Sequence, residues 1–328
     1  MTKRIAALAA AGILLFSGCG TKAYELEHPY DVYGTSIHSI QPNAGEDGAQ
    51  GISVLGEIPY FAQDLCVGEP APLANSPDAS AVEAAGVFHL EEGTITYAKN
   101  MYQKMYPAST TKILTAYTAL KHADLDDTVT VSAQAASQAG DSSVCGLHTG
   151  DQLSLRTLLY GLLLESGNDA ADAIAEHVSG SAENFAALMN EEAAALGATH
   201  SQFTNPHGLH DENHYTCVYD LYLFFHAALQ YEAFETIIHT SKYTAVYKDA
   251  SGASVTRDWE TTDQFLTGEA QAPEGVSIVG GKTGTTNAAG YCLALYSSNA
   301  DKQPLISIVL KADNSEHLYQ FMAELLKL

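Results

Sequence analysis

The sequence predicts an α/β fold of the α+β type, in which an antiparallel sheet is covered by helices on both faces and carries an inserted all-helical lobe. Three observations lead to this prediction. Strand patterns occur at both ends of residues 61–328, and helical patterns fill the middle. Residues 305–310 are apolar at every position but one, as expected for a strand that is covered on both sides. The last helix carries an apolar stripe at the spacing of a helix that lies on a sheet.

The individual elements follow from local patterns. Strands are predicted where short apolar or β-branched runs end at turn residues, at 86–90, 94–98, 276–281, 291–297 and 305–311. Helices are predicted at 110–120, 153–165, 169–178, 184–196, 218–230 and 318–326. Leucines on nearly every side of the helix at 153–165 indicate that it is buried in the middle of the domain. A cleft between the sheet and the inserted lobe is the expected ligand site.

The first residues have the layout of an export signal. Lys3 and Arg4 precede twelve mostly apolar residues, too few to span a bilayer but suitable for a signal peptide. Residues 15–19 (Leu-Phe-Ser-Gly-Cys) resemble a bacterial lipoprotein processing site, which implies a signal peptide at 1–19 and a lipid on Cys19. Simple secretion with an incidental cysteine is the alternative.

Residues 20–60 are mixed in composition, with a turn-rich cluster at 41–45 and no sustained period. We interpret them as a tether between the membrane and a folded domain at 61–328, and a partly ordered extension is the alternative. We therefore expect the protein on the outer face of the bacterial cytoplasmic membrane, held by a lipid anchor. The sequence stops at Leu328, just after the last predicted helix, so we expect no additional C-terminal β-domain.

The charge balance excludes two classes of partner. The net charge is −24, and only three arginines are present (Arg4, Arg156 and Arg257), so no basic groove for nucleic acid or for an anionic membrane surface is available. Besides Cys19 the chain has four cysteines, and none of them shows the spacing of metal ligands. Buried or free thiols are the preferred interpretation, and disulfides stay possible in an exported protein.

The first chemical motif is Ser109-Thr110-Thr111-Lys112. Ser109 follows a proline closely and opens a helix, where backbone N–H groups and the helix dipole favour negative charge. Lys112 lies one helical turn later on the same face, and a buried lysine loses proton affinity. Ser109 is thus a candidate nucleophile and Lys112 its base. Taken alone, the motif is more simply a helix start with a solvated lysine.

The second motif, Ser166-Gly167-Asn168, ends the leucine-rich helix. Ser166 could pass a proton between Lys112 and a leaving group, and the Asn168 amide could hold a substrate carbonyl. A helix-capping turn is the alternative, and it is compatible with function.

The third motif covers residues 280–285 (Gly-Gly-Lys-Thr-Gly-Thr). Glycines inside a strand indicate close approach of another backbone, and a peptide substrate added along this strand would supply one. Lys282, Thr283 and Thr285 offer a cation and hydroxyls for an anionic group, and Gly284 separates the two threonines. A phosphate-binding loop is excluded, because its leading glycine would have to occupy position 276, which is valine. The backbone N–H groups of Ser109 and Thr285 are our candidates for an oxyanion hole.

Together these motifs match those of serine β-lactamases and penicillin-binding proteins. More specifically, residues 106–112, 164–170, 205–209 (Asn-Pro-His-Gly-Leu) and 281–286 with 289–290 resemble the motifs of the serine-type D-Ala-D-Ala carboxypeptidases, the low-molecular-mass penicillin-binding proteins. Four motifs stand in the family's order, and the resemblance covers roughly residues 60–328. It implies a β-lactamase/transpeptidase-like fold.

The resemblance also implies a function, namely removal of the terminal D-alanine from peptidoglycan stem pentapeptides. Ser109 would be acylated, Lys112 would be the general base, and Ser166 and Asn168 would complete the centre. Lys282, Thr283 and Thr285 would receive the substrate carboxylate. Penicillins and other β-lactams would acylate Ser109 as inhibitors, and no metal or cofactor would be needed.

Other functions on the same fold are a β-lactamase, a D,D-endopeptidase or a catalytically inactive penicillin-binding receptor. Gly167 replaces the aspartate of the class A β-lactamase motif, and no counterpart of the deacylating glutamate is evident, which favours the carboxypeptidase. Arg257 is a weak candidate for assisting with the substrate carboxylate, and a surface arginine is the simpler interpretation. We expect His207 to be structural.

Overall fold

Nine strands form two antiparallel sheets in the part of the chain that the structure, a computed structural model, describes: residues 64–70, 76–140 and 142–328. The predicted signal peptide, Cys19 and the whole of the proposed tether at 20–60 lie outside these residues. No helix in the described ranges combines the length and the apolar character that a membrane crossing needs.

The larger sheet has five strands. In chain order they are β1 (Val82–His89), β2 (Thr94–Lys99), β7 (Ser277–Thr286), β8 (Gly290–Ser298) and β9 (Pro304–Ala312), and their spatial order is β2-β1-β9-β8-β7. The first and last parts of the domain therefore pair with each other, as the sequence predicts. β7 lies at one edge and pairs with β8 alone among the described strands.

Helices cover both faces of this sheet. The C-terminal helix α8 (Ser315–Leu325) packs on one face against alternate residues of the strands, including Val87 and Val309. On the other face α5 (Val218–Ala228) packs against Phe88, and the ring of Tyr222 stacks on Phe88 at 4.1 Å. The prediction of an antiparallel sheet between helices is confirmed.

The inserted lobe contains α1 (Lys112–His122), α2 (Leu155–Leu163), α3 (Asn168–Ser179), α4 (Ala182–Ala195) and α5, followed by the short helices α6 (Glu232–Ile238) and α7 (Gln264–Thr267). The sequence predicts an all-helical lobe, and this prediction is wrong, because the lobe also carries a four-stranded sheet. That sheet has the order β3 (Thr128–Thr130), β4 (Gln152–Ser154), β5 (Lys242–Lys248) and β6 (Ser254–Glu260).

This second sheet escapes prediction for a physical reason. β3 and β4 have three residues each, and β5 and β6 are polar or half-exposed at most positions. They bury only a few side chains, such as Ala245 and Trp259, so their apolar signal is weak. The helix predicted at 153–165 begins only at Leu155, because residues 152–154 belong to the sheet. Ser154 caps α2 by accepting the N–H of Thr157 at 3.1 Å.

Candidate active site

The predicted nucleophile Ser109 lies in a short 3₁₀ turn, Ala108–Thr111, that leads directly into α1. Pro107 precedes the turn, and the hydroxyl of Thr110 donates to its carbonyl at 2.7 Å. Ala108 has a φ of +49°, a conformation that residues with a side chain rarely adopt. This bend leaves Ser109 half-buried at the start of the helix.

The side chain of Lys112 is completely buried beside Ser109. Its Nζ lies 3.0 Å from Ser109 Oγ, and it donates to Asn168 Oδ1 and to the carbonyl of His207, each at 2.8 Å. Both of these oxygens can only accept hydrogen bonds. A neutral amine has two N–H bonds, so donation to the two oxygens leaves its lone pair for the Ser109 hydroxyl.

Burial and a neighbouring lysine favour the neutral amine of Lys112. Burial lowers the pKa of Lys112 well below the ordinary lysine value, and the nearby positive charge of Lys282 lowers it further. Cys145, Asp172 and Asp169 act in the opposite direction but do not reverse the shift. Lys112 can therefore accept the Ser109 proton at a pH where a solvated lysine could not.

The Ser166-Gly167-Asn168 loop connects α2 to α3 and is tightly held from behind. Ser166 is buried and has a φ of +59°, a second strained backbone position in the motifs. A β-carbon on Gly167 would lie 2.1 Å from the Cys145 sulfur, so only glycine fits there. Asp169 accepts the backbone N–H of Cys145 at 2.8 Å. The loop thereby brings Asn168 onto Lys112, whereas the proton-transfer role of Ser166 stays a prediction.

The third motif lies within β7, next to the nucleophile. A β-carbon on Gly284 would lie 2.8 Å from the backbone nitrogen of Ser109, so the strand and the 3₁₀ turn touch through their backbones. Lys282 is buried and donates to the Thr283 carbonyl at 3.0 Å. Burial lowers the pKa of Lys282 to about 7, and Asp263 opposes this shift. Asp263 is buried as well, and its own burial raises its pKa to about 6.

The two threonines of the motif differ in their surroundings. Thr283 Oγ1 lies 2.5 Å from Thr262 Oγ1, which ties β7 to the segment before α7. Thr285 is exposed. Because β7 is an edge strand, the backbone next to Thr285 is open to an added peptide strand.

The structural reason for the glycines of β7 differs from the bound peptide that the sequence suggests. A β-carbon on Gly280 would lie 1.9 Å from the Ile238 carbonyl oxygen, and one on Gly281 would lie 2.0 Å from that of Ala294. The close approach that these glycines permit is therefore made by the protein's own backbone, without a bound peptide.

Residues 205–209 complete the site through their main chain. The carbonyl of His207 binds Lys112, and Asn205 Oδ1 accepts the N–H of Gly208 at 2.7 Å. Gly208 has a φ of +89°, and a β-carbon on it would lie 1.9 Å from the Ala108 carbonyl oxygen. From the sequence we expect a structural role for His207, but its carbonyl contact with Lys112 could not be predicted, because a backbone contact does not depend on residue type.

We expect Gly208→Ala to destabilise the domain by roughly 3 kcal/mol or more, because the left-handed backbone costs about 1–2 kcal/mol and the clash with Ala108 adds to it. Gly197→Ala is the matched control. Its φ is +81°, but nothing lies within 4 Å of the added carbon. Urea unfolding of both variants measures the difference, and equal losses of stability would contradict the close contact.

Other residues of interest lie apart from these contacts. Arg257 is on β6 and donates to the Tyr247 hydroxyl at 3.0 Å, within the second sheet. Glu165, which precedes Ser166, accepts the backbone N–H of Glu260 at 2.8 Å. The four described cysteines, Cys66, Cys145, Cys217 and Cys292, are all buried and free, as preferred from the sequence.

One group of potential metal ligands occurs in the described ranges, formed by His200, Cys217 and Asp220. Asp220 Oδ2 already accepts the N–H of His200 and the hydroxyl of Ser201, each at 2.7 Å. The Cys217 sulfur accepts the Asp220 N–H at 3.4 Å as the N-cap of α5. The Asp220 carboxylate and the Cys217 sulfur thus already make hydrogen bonds at the N-terminus of α5.

Comparison with known proteins gives a consistent result. A model of the D-alanyl-D-alanine carboxypeptidase family (peptidase family S11) matches residues 72–314. The carboxypeptidase DacF of Bacillus subtilis is 32% identical over 236 residues, which are 70% of this chain and 57% of the relative. DacB2 of Mycobacterium tuberculosis is 34% identical, over 67% of this chain and 72% of the relative.

Solved structures agree with this match. A D-alanyl-D-alanine carboxypeptidase structure from Mycobacterium tuberculosis superposes with a TM-score of 0.69 at 29% identity, covering 79% of this chain and 94% of that one. The Streptomyces K15 DD-transpeptidase gives a TM-score of 0.68 at 28% identity, covering 75% and 95%. The chain spans little more than half of the length of some curated relatives, such as DacF.

Proposed function

Because this chain belongs to the D-alanyl-D-alanine carboxypeptidase family, we propose that it is a serine carboxypeptidase that removes the terminal D-alanine from peptidoglycan stem pentapeptides. One observation carries the proposal. The buried amine of Lys112 lies 3.0 Å from Ser109 Oγ, with two acceptor oxygens occupying its N–H bonds. Such an amine activates a serine hydroxyl for attack on a carbonyl.

The proposed reaction has two stages. The Ser109 oxygen attacks the peptide carbonyl between the two D-alanines, and its proton moves to Lys112. The backbone N–H groups of Ser109 and Thr285 stabilise the oxyanion, and Lys282 with Thr283 and Thr285 binds the terminal carboxylate. Return of the proton to the leaving amine, with Ser166 as the carrier, releases D-alanine. Water then attacks the acyl-enzyme and gives a proton to Lys112, which returns it to the Ser109 oxygen as the shortened peptide leaves.

The same site should accept β-lactams as inhibitors. Their strained amide takes the place of the peptide bond, and their carboxylate binds at Lys282. Opening of the ring leaves an acyl group on Ser109. Glu165 is held by the Glu260 backbone, so it is an unsuitable counterpart of a deacylating glutamate, which favours slow release over β-lactamase turnover.

Two assays on the full chain separate the proposed function from its alternatives. We expect a fluorescent penicillin to form one covalent adduct on Ser109, and a pentapeptide ending in D-Ala-D-Ala to release D-alanine. Rapid turnover of the antibiotic would indicate a β-lactamase, and cleavage of cross-linked peptides an endopeptidase. Labelling without D-alanine release would indicate a receptor. A folded protein that neither binds penicillin covalently nor releases D-alanine would end the proposal.

We further propose that residues 1–19 direct export, that Cys19 carries a lipid, and that residues 20–60 connect the anchor to a catalytic domain at 61–328 on the outer face of the cytoplasmic membrane. In a bacterial host that processes lipoproteins, the wild-type protein should incorporate labelled fatty acid and sediment with membranes. Cys19→Ser should lose the label. Equal labelling of both proteins would contradict the anchor.

A further inference from the structure

A half-buried carboxylate that no part of the proposed mechanism uses lies close enough to the base to influence its pKa. Asp172 is four residues after Asn168 on α3, so both side chains are on the same face of the helix. Its side chain is only 15% exposed, and its Oδ2 accepts a hydrogen bond from Gln138 Nε2 at 2.7 Å. Its Oδ1 lies 3.9 Å from His207 Nε2.

The imidazole of His207 connects this carboxylate with the carbonyl that binds Lys112. The backbone N–H of Leu209 donates to His207 Nδ1 at 3.2 Å, so Nδ1 accepts and the proton of the neutral ring is on Nε2. That N–H therefore faces Asp172. Burial lowers the pKa of His207 to about 3, with the charge of Lys112 as a smaller cause, so the ring is neutral near pH 7.

The geometry points to Asp172 as a positioning residue for the base: we infer that it sets the proton affinity of Lys112 with its negative charge and, through the His207 ring, fixes the carbonyl that binds the amine. This inference rests on the proposed function, because it assigns a partner to the proposed base. Asp172 touches neither Ser109 nor a bound substrate in this scheme.

The ionisable groups around Lys112 determine in which direction the loss of the Asp172 charge shifts the pKa of Lys112. The ionisable groups that act on Lys112 are Lys282 on β7, Cys145 in the loop between β3 and β4, and Asp169 and Asp172 on α3. An ionised Asp172 raises the pKa of Lys112, against the larger lowering by burial and by Lys282. Loss of this charge should therefore lower the pKa of Lys112 and keep the amine neutral at lower pH.

Asp172 itself titrates in an accessible range. Burial raises its pKa to about 6, with Glu176 and Asp169 as further causes, and Gln138 and Lys112 oppose the shift. Its charge is thus present above about pH 6 and is lost below it. A variant that removes the charge should differ from the wild type in its pH profile.

The test measures the rate constant of Ser109 acylation by saturating penicillin from pH 5 to pH 9 for the wild type, Asp172→Asn and Glu191→Gln. Asn retains the shape of the side chain and a polar oxygen that faces the His207 N–H, but it carries no charge. We expect the ratio of the rates at pH 6 and pH 8.5 to be about threefold larger for Asp172→Asn than for the wild type. Glu191→Gln removes an exposed acid on α4 that shifts the pKa of neither Lys112 nor Asp172, so it should follow the wild type.

A second variant isolates the contact with His207. Asp172→Leu removes both the charge and the polar oxygen 3.9 Å from His207 Nε2, so its maximal acylation rate should fall below that of Asp172→Asn, while the penicillin concentration at half saturation stays the same. An unchanged pH profile of Asp172→Asn in a protein that is normally acylated would overturn the inference and leave the proposed function intact. No acylation of the wild type would overturn both.

Discussion

Ser109→Ala should abolish covalent penicillin binding and reduce D-alanine release by at least about 10⁴-fold. The acyl-enzyme forms on the Ser109 oxygen, and among the described residues no other hydroxyl is hydrogen-bonded to the Lys112 amine. In serine hydrolases, loss of the nucleophile costs factors of this size or larger. Intact-mass spectrometry after incubation with penicillin gives a direct answer, because the adduct adds the mass of one antibiotic.

The variant should remain folded, which makes its loss of activity interpretable. Ser109 is half-buried, and in its absence Lys112 keeps its hydrogen bonds to Asn168 Oδ1 and to the His207 carbonyl. Ser307→Ala provides a matched control. Ser307 is a buried serine on the central strand β9, and its hydroxyl has no hydrogen-bond partner among the described residues. This control should bind penicillin at the wild-type rate, and persistent labelling of Ser109→Ala would mean that another residue is the nucleophile.

Replacement of Lys112 should give the second-largest loss. We expect Lys112→Ala to slow acylation by about 10²- to 10⁴-fold, the range that a general base contributes. Lys112→Arg is the informative companion, because arginine keeps the positive charge but cannot serve as a base. Equal losses in both variants would identify proton transfer as the role of Lys112. Recovery of the rate in Lys112→Arg would show instead that only the charge is needed.

The pH dependence of the wild type checks the same point. Burial and the charge of Lys282 lower the pKa of Lys112, so the neutral amine is available near neutral pH and protonation removes it as the pH falls. The acylation rate of the wild type should therefore decline on the acid side, and the residual rate of Lys112→Ala should not follow the same curve. Stopped-flow or quenched labelling at saturating penicillin measures the acylation step apart from binding. A wild-type rate that rises as the pH falls would contradict a neutral amine as the base.

Much of the candidate site and of the C-terminal part of the fold could be predicted from local sequence motifs. The spacing of Ser109 and Lys112 within one helical turn, and the position of Asn168 directly after the leucine-rich helix, are properties of short stretches of chain. The strand and helix patterns at the C-terminus are equally local, and the sheet between helices follows from them. For that reason residues 277–325 form the predicted strands and helix, with β7 reaching further than expected, to Thr286.

The contacts that give these residues their chemistry are not local. Lys112 and His207 are 95 residues apart, and only the folded chain brings the carbonyl of one onto the amine of the other. The close packing of Gly208 on Ala108 and of Gly284 on Ser109 is likewise a matter of backbone position. A sequence records which residue types are present, whereas such contacts depend on the path of the main chain.

The sequence by itself determined the family motifs, their order and the elements that carry them, because helix and strand periods and motif spacings are written in neighbouring residues. Tertiary structure alone decided that Lys112 is buried beside a second cation, that Asp172 and His207 lie behind it, and that a second sheet completes the inserted lobe. Burial and charge proximity are sums over residues from distant parts of the chain, and those sums exist only once the chain has folded.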